Sequence, residues 1–121
     1  MDNRNLAERV VDFAQEVVRI CHELDYMKKQ VISRQLMRSG TAIGASYAEA
    51  AHAESAEDFI HKIKIAAKEA NETRYWFSVI NSFKQVKPET IQELDIIQRM
   101  LAKSMQTVKQ KMKEGALKPK S

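Results

Sequence analysis

Apolar residues recur at alternating spacings of four and three along much of this chain, and that pattern limits its fold more than any other feature. Such spacing lines up side chains on one face of an α-helix and is typical of helices that pack against one another. The first stretch of this kind predicts a helix from about residue 6 to residue 24. Its seam consists of Leu6, Val10, Phe13, Val17, Ile20 and Leu24.

The strongest periodic stretch lies in the third quarter of the chain. Ser55 and Asp58 are spaced like a capping box, in which a hydroxyl and an acidic side chain bond the free amides of a helix start. We therefore predict a helix that begins at Ser55 and ends near Phe83. Its seam consists of Phe59, Ile63, Ala66, Ala70, Thr73, Phe77 and Ile80.

A further helix is predicted to begin at Pro88, because proline is favoured in the first turn, and to end near Lys113. Gly115 is a natural stop, since glycine readily adopts the left-handed conformation that follows many helices. The apolar stripe of this segment consists of Leu94, Ile97, Leu101, Met105, Val108 and Met112.

The segment from about Lys29 to Ala51 has a thinner seam and a middle made of small residues. Gly40 and Gly44 each cost a helix about 1 kcal/mol relative to alanine. Two interpretations stay open: a neighbouring helix approaches closely and offsets this cost, or the helix breaks at one of the glycines. The seam residues are Ile32, Leu36, Ile43 and Tyr47.

These segments together define the fold class. The chain of 121 residues has three glycines and two prolines, too few for the frequent turns of a many-stranded β fold. The predicted connections are about four residues long, and short connections favour antiparallel neighbours. We predict an all-α, antiparallel up-down-up-down four-helix bundle over residues 1–114, followed by a disordered basic tail over residues 115–121.

Positive charge is concentrated at the C-terminal end. Residues 1–102 are nearly neutral, whereas residues 103–121 hold six lysines and a single glutamate, Glu114. A lysine-rich end favours binding to a polyanion such as nucleic acid. The alternative is a solvated end whose charge complements the helix dipole. The candidate nucleic-acid-binding residues are Lys103, Lys109, Lys111, Lys113, Lys118 and Lys120.

The only cysteine, Cys21, lies in the seam of the first helix, and we interpret it as a small core residue. A single thiol forms no internal disulfide, which fits a reducing compartment. The N-terminal residues do not resemble a signal peptide, and no apolar run reaches the roughly 20 residues that a membrane span requires. We therefore expect a cytoplasmic protein that does not enter membranes.

No pattern typical of an enzyme stands out, so we predict no catalytic residues, no metal and no cofactor. The spacings Glu49-x-x-His52 and Asp58-x-x-His61 are similar to those of di-iron bundles. However, both histidines flank one predicted loop, at an end of the bundle. Glu49 also raises the question of a buried ion pair with Arg38 or Lys68.

The stretch from Lys68 to Trp76 combines charged residues with two large aromatic side chains. Aromatic residues and arginine are enriched at protein interfaces. We predict that Arg74, Tyr75 and Trp76 form an oligomer interface, with an ordinary core position as the alternative for Trp76.

Two blocks of the sequence are distinctive. The first is QLMRSGTAIGASYAEA at 35–50. The second is DFIHKI at 58–63, followed by Ala66, KEA at 68–70, ET at 72–73 and YW at 75–76. In this order they resemble the bacterial 23S rRNA intervening-sequence protein family, often called four helix bundle proteins. Ser46 departs from the family pattern, where asparagine is common.

The resemblance implies a homopentameric ring without catalytic activity. It also implies kinship with accessory proteins of diversity-generating retroelements, which bind a reverse transcriptase and nucleic acid. The expected function is therefore a homo-oligomeric bundle that binds RNA or a reverse-transcriptase-type ribonucleoprotein partner. The alternative is a protein–protein scaffold without nucleic-acid binding.

Overall fold

The computed structural model describes residues 2–115 and contains four helices. They are α1 (Leu6–Tyr26), α2 (Gln30–Ala51), α3 (Ala56–Ile80) and α4 (Pro88–Lys113). Each helix packs on the next in the chain, and α4 closes the bundle against α1. The all-α four-helix bundle predicted from the periodic seams is thus confirmed. The tail prediction for residues 116–121, with Lys118 and Lys120, lies outside the described residues.

The predicted seams form the core. Every seam residue of α1 is buried, as are those of α3 from Ile63 onward. At the centre, the rings of Phe13 and Phe77 meet edge to face across the bundle, with centroids 6.2 Å apart. The seam of α4 behaves differently, because Leu101 is its last buried residue and Met105, Val108 and Met112 are only half-buried.

Two helix starts are fixed by side-chain caps. The Ser55 side chain accepts a hydrogen bond from the Asp58 amide at 3.1 Å, as predicted. The Asp58 carboxylate, however, accepts from the amide of Glu54 rather than that of Ser55. The complete capping box is at the start of α1, where Asn5 and Glu8 bond each other's backbone amides.

The α2 helix runs unbroken through both glycines, so the close-approach interpretation is correct. A Cβ atom at Gly40 would lie 2.7 Å from a methyl group of Val17 on α1. On the other side of α2, the buried hydroxyl oxygens of Ser39 and Thr73 lie 3.0 Å apart. Small side chains therefore bring α2 close to both α1 and α3.

The connections differ in length more than predicted. Two of them have three and four residues, whereas the one between α3 and α4 spans residues 81–87. This longer loop is anchored rather than loose, because Val86 is buried and its amide donates to Asn81 Oδ1 at 2.8 Å. Among the described helices, none combines the length and apolar character needed to cross a membrane.

Candidate nucleic-acid interface

The lysines at the end of α4 are held on a rigid helix and face solvent. Lys103, Lys109, Lys111 and Lys113 are exposed. No carboxylate within residues 2–115 lies within ion-pair distance of their ammonium groups. Their positive charge is therefore available to a partner. A flexible tail is not required to present these four lysines.

The last turns of α4 are not enclosed by the other helices. Past Leu101, α4 contributes no buried residue within the part of the chain that is described. An open groove of about 390 Å³ lies here, lined mainly by apolar side chains of α1, α3 and α4 with Lys103 among them. The α4 end therefore presents both a basic surface and an apolar groove.

The three residues predicted as an oligomer interface have different environments. Arg74 is bound within the chain, since its guanidinium contacts Asp95 and Gln98 of α4. Trp76 is half-buried against the core. Tyr75 is 59% exposed and packs edge to face on Trp76 at 5.0 Å. The structure thus brings the two rings together but leaves only Tyr75 widely available to another molecule.

Glu49 does not form a buried ion pair with Arg38 or Lys68, so that possibility is wrong. Its side chain is 62% exposed, and its partner is Lys62 at 3.5 Å. Glu49 lies on the outer side of α2, because the small residues of this helix face inward. The guanidinium of Arg38 instead contacts Glu69 and Glu72 of α3.

A buried ion pair joins α1 to α4, and no local sequence pattern indicates it. Arg9 is 6% exposed, and its guanidinium binds both carboxylate oxygens of Glu93 at 2.8 and 2.9 Å. Arg4 also binds Glu93, at 3.1 Å, and binds Asp2. The hydrogen bonds that the side chain and the backbone amide of Arg4 donate to Asp2 hold the pKa of the Asp2 carboxyl well below its usual range.

The thiol of Cys21 is fully buried, as predicted for a core residue. It donates to the carbonyl oxygen of Ser33 at 3.3 Å, and the Ser33 hydroxyl donates to the Cys21 carbonyl at 3.3 Å. Burial raises the pKa of this thiol, which disfavours the reactive thiolate. No group of three or more potential ligands within residues 2–115 is placed to hold a metal ion.

The sequence pattern and the helix arrangement agree with one known family. The family model for the 23S rRNA-intervening sequence protein matches residues 3–112, which include all four helices apart from Lys113. The chain belongs to this family.

A solved structure supports the assignment to the 23S rRNA-intervening sequence proteins. It is a protein of unknown function from the S23 ribosomal protein family of Bacteroides thetaiotaomicron. The two chains share 34% sequence identity and superpose with a TM-score of 0.79. The match covers 84% of the present chain and 95% of the other. No curated protein matches the chain.

Proposed function

We propose that this protein is a non-catalytic, homo-oligomeric helical bundle of the bacterial cytoplasm that binds RNA or a ribonucleoprotein partner. The observation that carries the proposal is the set of exposed, unpaired lysines on the last turns of α4. Each phosphate that a lysine neutralises releases a counterion, which gives such surfaces their affinity for nucleic acid. No aromatic residue is interleaved with these lysines, so contacts here are to the backbone and carry little sequence information.

Oligomerisation would multiply this modest charge. A homopentamer, the assembly implied by the family resemblance, presents five copies of the α4 end. Linked copies bind one RNA far more tightly than a single copy does, provided that the geometry allows them to engage together.

The surface of α1 offers a place for a second copy of the chain. Along one side of this helix Ala7 and Val11 are exposed, and Ala14 and Val18 follow at helical spacing and are half-buried; Val11 is 54% exposed. A solvated helix face normally carries polar residues there. Together with Tyr75, this stripe favours self-association and also the alternative function, a protein–protein scaffold.

The experiment measures the binding of a fluorescein-labelled RNA by anisotropy across a salt series. It compares the full chain, a truncation that ends at Ala102, and a variant with Lys103, Lys109, Lys111 and Lys113 changed to glutamine. The glutamine variant keeps the half-buried residues of α4 and so tests charge separately from folding. Lys64→Gln, an exposed lysine on α3, is the matched control.

Affinity that falls steeply with salt, and is lost in both the truncation and the glutamine variant, supports RNA binding at this end. If the full chain does not bind RNA even at low salt, RNA binding is rejected and the scaffold function takes its place. Light scattering on Val11→Lys, with Gln15→Lys as the control, tests the second copy: loss of the oligomer in the first variant alone supports the α1 stripe.

A further inference from the structure

The opposite end of the bundle carries an aromatic side chain, Tyr26, that is not buried in the core. Tyr26 is the last residue of α1 and is 91% exposed, more than any other large hydrophobic residue of the described chain. It is neither part of the buried core nor among the half-buried side chains that pack against it. A ring held on a helix end with both faces open is the arrangement by which proteins stack an unpaired base.

The two loops at this end of the bundle carry four lysines, Lys28, Lys29, Lys84 and Lys87. Tyr26 and Lys84 line the same open depression of about 410 Å³. Lys84 is paired with Glu23 at 2.7 Å, and Lys87 also lowers the pKa of that carboxyl, which places both lysines beside the last turns of α1. Lys29 holds the two loops together, because its ammonium lies 4.8 Å from the centre of the Phe83 ring.

Lys28 adds a second unusual feature. It follows the α1 cap in the left-handed conformation, with φ of 62°, and is the one non-glycine residue of the described chain with positive φ. The Lys28 amide donates to Asp25 and the Lys29 amide to Leu24, which is the hydrogen-bond pattern of a Schellman motif. Glycine is the usual residue at this position because it adopts the conformation without strain. Lys28 therefore places a positively charged side chain at a position where the backbone conformation favours glycine.

Two of these lysines are free to bind a ligand. Within the described residues, neither Lys28 nor Lys87 has an ion-pair partner. The four lysines at this end outnumber its carboxylates, Glu23, Asp25 and Glu89, by only one. Net charge alone therefore does not distinguish this end from the rest of the protein surface. What distinguishes it is the combination of unpaired lysines with the exposed ring of Tyr26.

We infer that this end of the bundle binds a single-stranded segment of RNA, with a base stacked on Tyr26 and the adjoining phosphates contacted by Lys28 and Lys87. The inference rests on the proposed RNA binding and adds a second site, on the opposite end of α1 from the α4 lysines. The 21 residues of α1 separate the two by about 30 Å. The α4 lysines bind phosphates of any RNA, whereas the Tyr26 site requires unpaired bases.

The test measures the affinity of the full-length protein for a short labelled oligouridylate and for a labelled RNA duplex. Tyr26→Ala is expected to weaken binding of the single strand roughly tenfold, the usual effect of losing one stacked base, and to leave duplex binding unchanged. Tyr26→Phe keeps the ring and is expected to retain wild-type affinity for both probes.

Lys28→Gly separates the charge from the fold. It removes a phosphate contact but places the favoured residue in the left-handed position. Lower affinity for the single strand with an equal or higher melting temperature supports the inference. Lys64→Ala on α3 removes the same charge elsewhere and is expected to have no effect on the oligouridylate.

Wild-type affinity in Tyr26→Ala would overturn this inference, and the α4 variants show whether the proposed function falls with it. If those variants still lose RNA, binding at the α4 end stands and only the Tyr26 site is rejected. If the wild-type protein binds neither probe, both the proposed function and this site are rejected.

Discussion

The α1 helix packs against its two neighbours in opposite ways. Toward α2, Val17 rests against Gly40 and the backbones come close. Toward α4, the helices leave an open groove of about 350 Å³, which Arg4 and Glu93 line. Beside it, the buried guanidinium of Arg9 reaches across to Glu93.

The two contacts depend on different conditions. The α1–α2 contact requires a residue without a side chain at position 40, because a Cβ atom there would collide with Val17. The α1–α4 contact needs two partners to remain together, because a buried charge without its counter-charge is strongly destabilising. The following variants test these conditions in order of decreasing expected effect.

Glu93→Ala removes the carboxylate that Arg9 and Arg4 share. Breaking a buried ion pair from one side typically costs about 3–5 kcal/mol. Because Glu93 retains some exposure and Arg9 keeps a second ion pair, with Asp2 at 3.0 Å, we expect a smaller loss of about 2 kcal/mol in the free energy of unfolding. Chemical denaturation measures this loss.

The double variant Arg9→Met with Glu93→Leu is expected to recover most of the stability, because it leaves no buried charge unpaired. A loss below about 0.5 kcal/mol, the size of an ordinary surface change, would show that the pair does not hold α1 to α4.

Gly40→Ala adds one methyl group to the close contact. Alanine favours a helix by about 1 kcal/mol over glycine, but the new Cβ would lie 2.7 and 2.8 Å from the two Val17 methyl groups. Valine has little rotameric freedom to move them away. Because overpacking typically costs about 1–3 kcal/mol, we expect a net loss of about 1 kcal/mol in thermal or chemical denaturation.

The control for that substitution is Gly44→Ala, one helical turn away on α2. There the nearest atom to a new Cβ is Val10 Cβ at 3.4 Å, an ordinary contact. The helix propensity then dominates, and we expect a gain of up to about 1 kcal/mol. Equal effects of the two alanines would show that close packing does not distinguish Gly40.

Glu23→Gln is expected to have the smallest effect, and that effect should depend on pH. The hydrogen bond from Lys84 lowers the pKa of Glu23 below its ordinary value of 4.5. A carboxyl with a lowered pKa stabilises the fold above its unfolded pKa, and this contribution is lost as the pH falls through its folded pKa. Because the pair is exposed, we expect a few tenths of a kcal/mol at pH 7. Melting curves of the two proteins should converge at acidic pH, and a constant difference would contradict the ion pair.

The sequence was sufficient to predict the helices because each seam is a local pattern. Within α3, for example, Ile63, Ala70 and Phe77 are separated by about two turns each, so their positions identify the buried face without knowledge of any partner. The same logic placed Pro88 at the start of α4 and Gly115, with φ of 74°, just after its end. The start of α4 could be predicted because the preference of proline for the first turn of a helix is a local property.

Contacts between helices were harder to predict because they join distant residues. Arg9 lies beside Val10 in the sequence and gives no sign that Glu93, 84 positions later, is its partner. Whether Glu49 pairs with Arg38 or Lys68 could not be decided from the sequence, and in the structure it lies on the outer side of α2 with Lys62 as its partner. Tyr26 lies outside the seam of α1, and periodicity shows which residues leave the core but not what they do outside it.

At the end of α4, past Leu101, surface charge can change with little effect on the stability of the fold. Because its side chains past Leu101 are not fully buried, most substitutions there should change the free energy of unfolding little. The same substitutions change the charge that a partner meets. If this end binds RNA as proposed, selection can alter its affinity from one family member to another while the rest of the bundle keeps its stability, and the binding surface can then evolve faster than the fold that carries it.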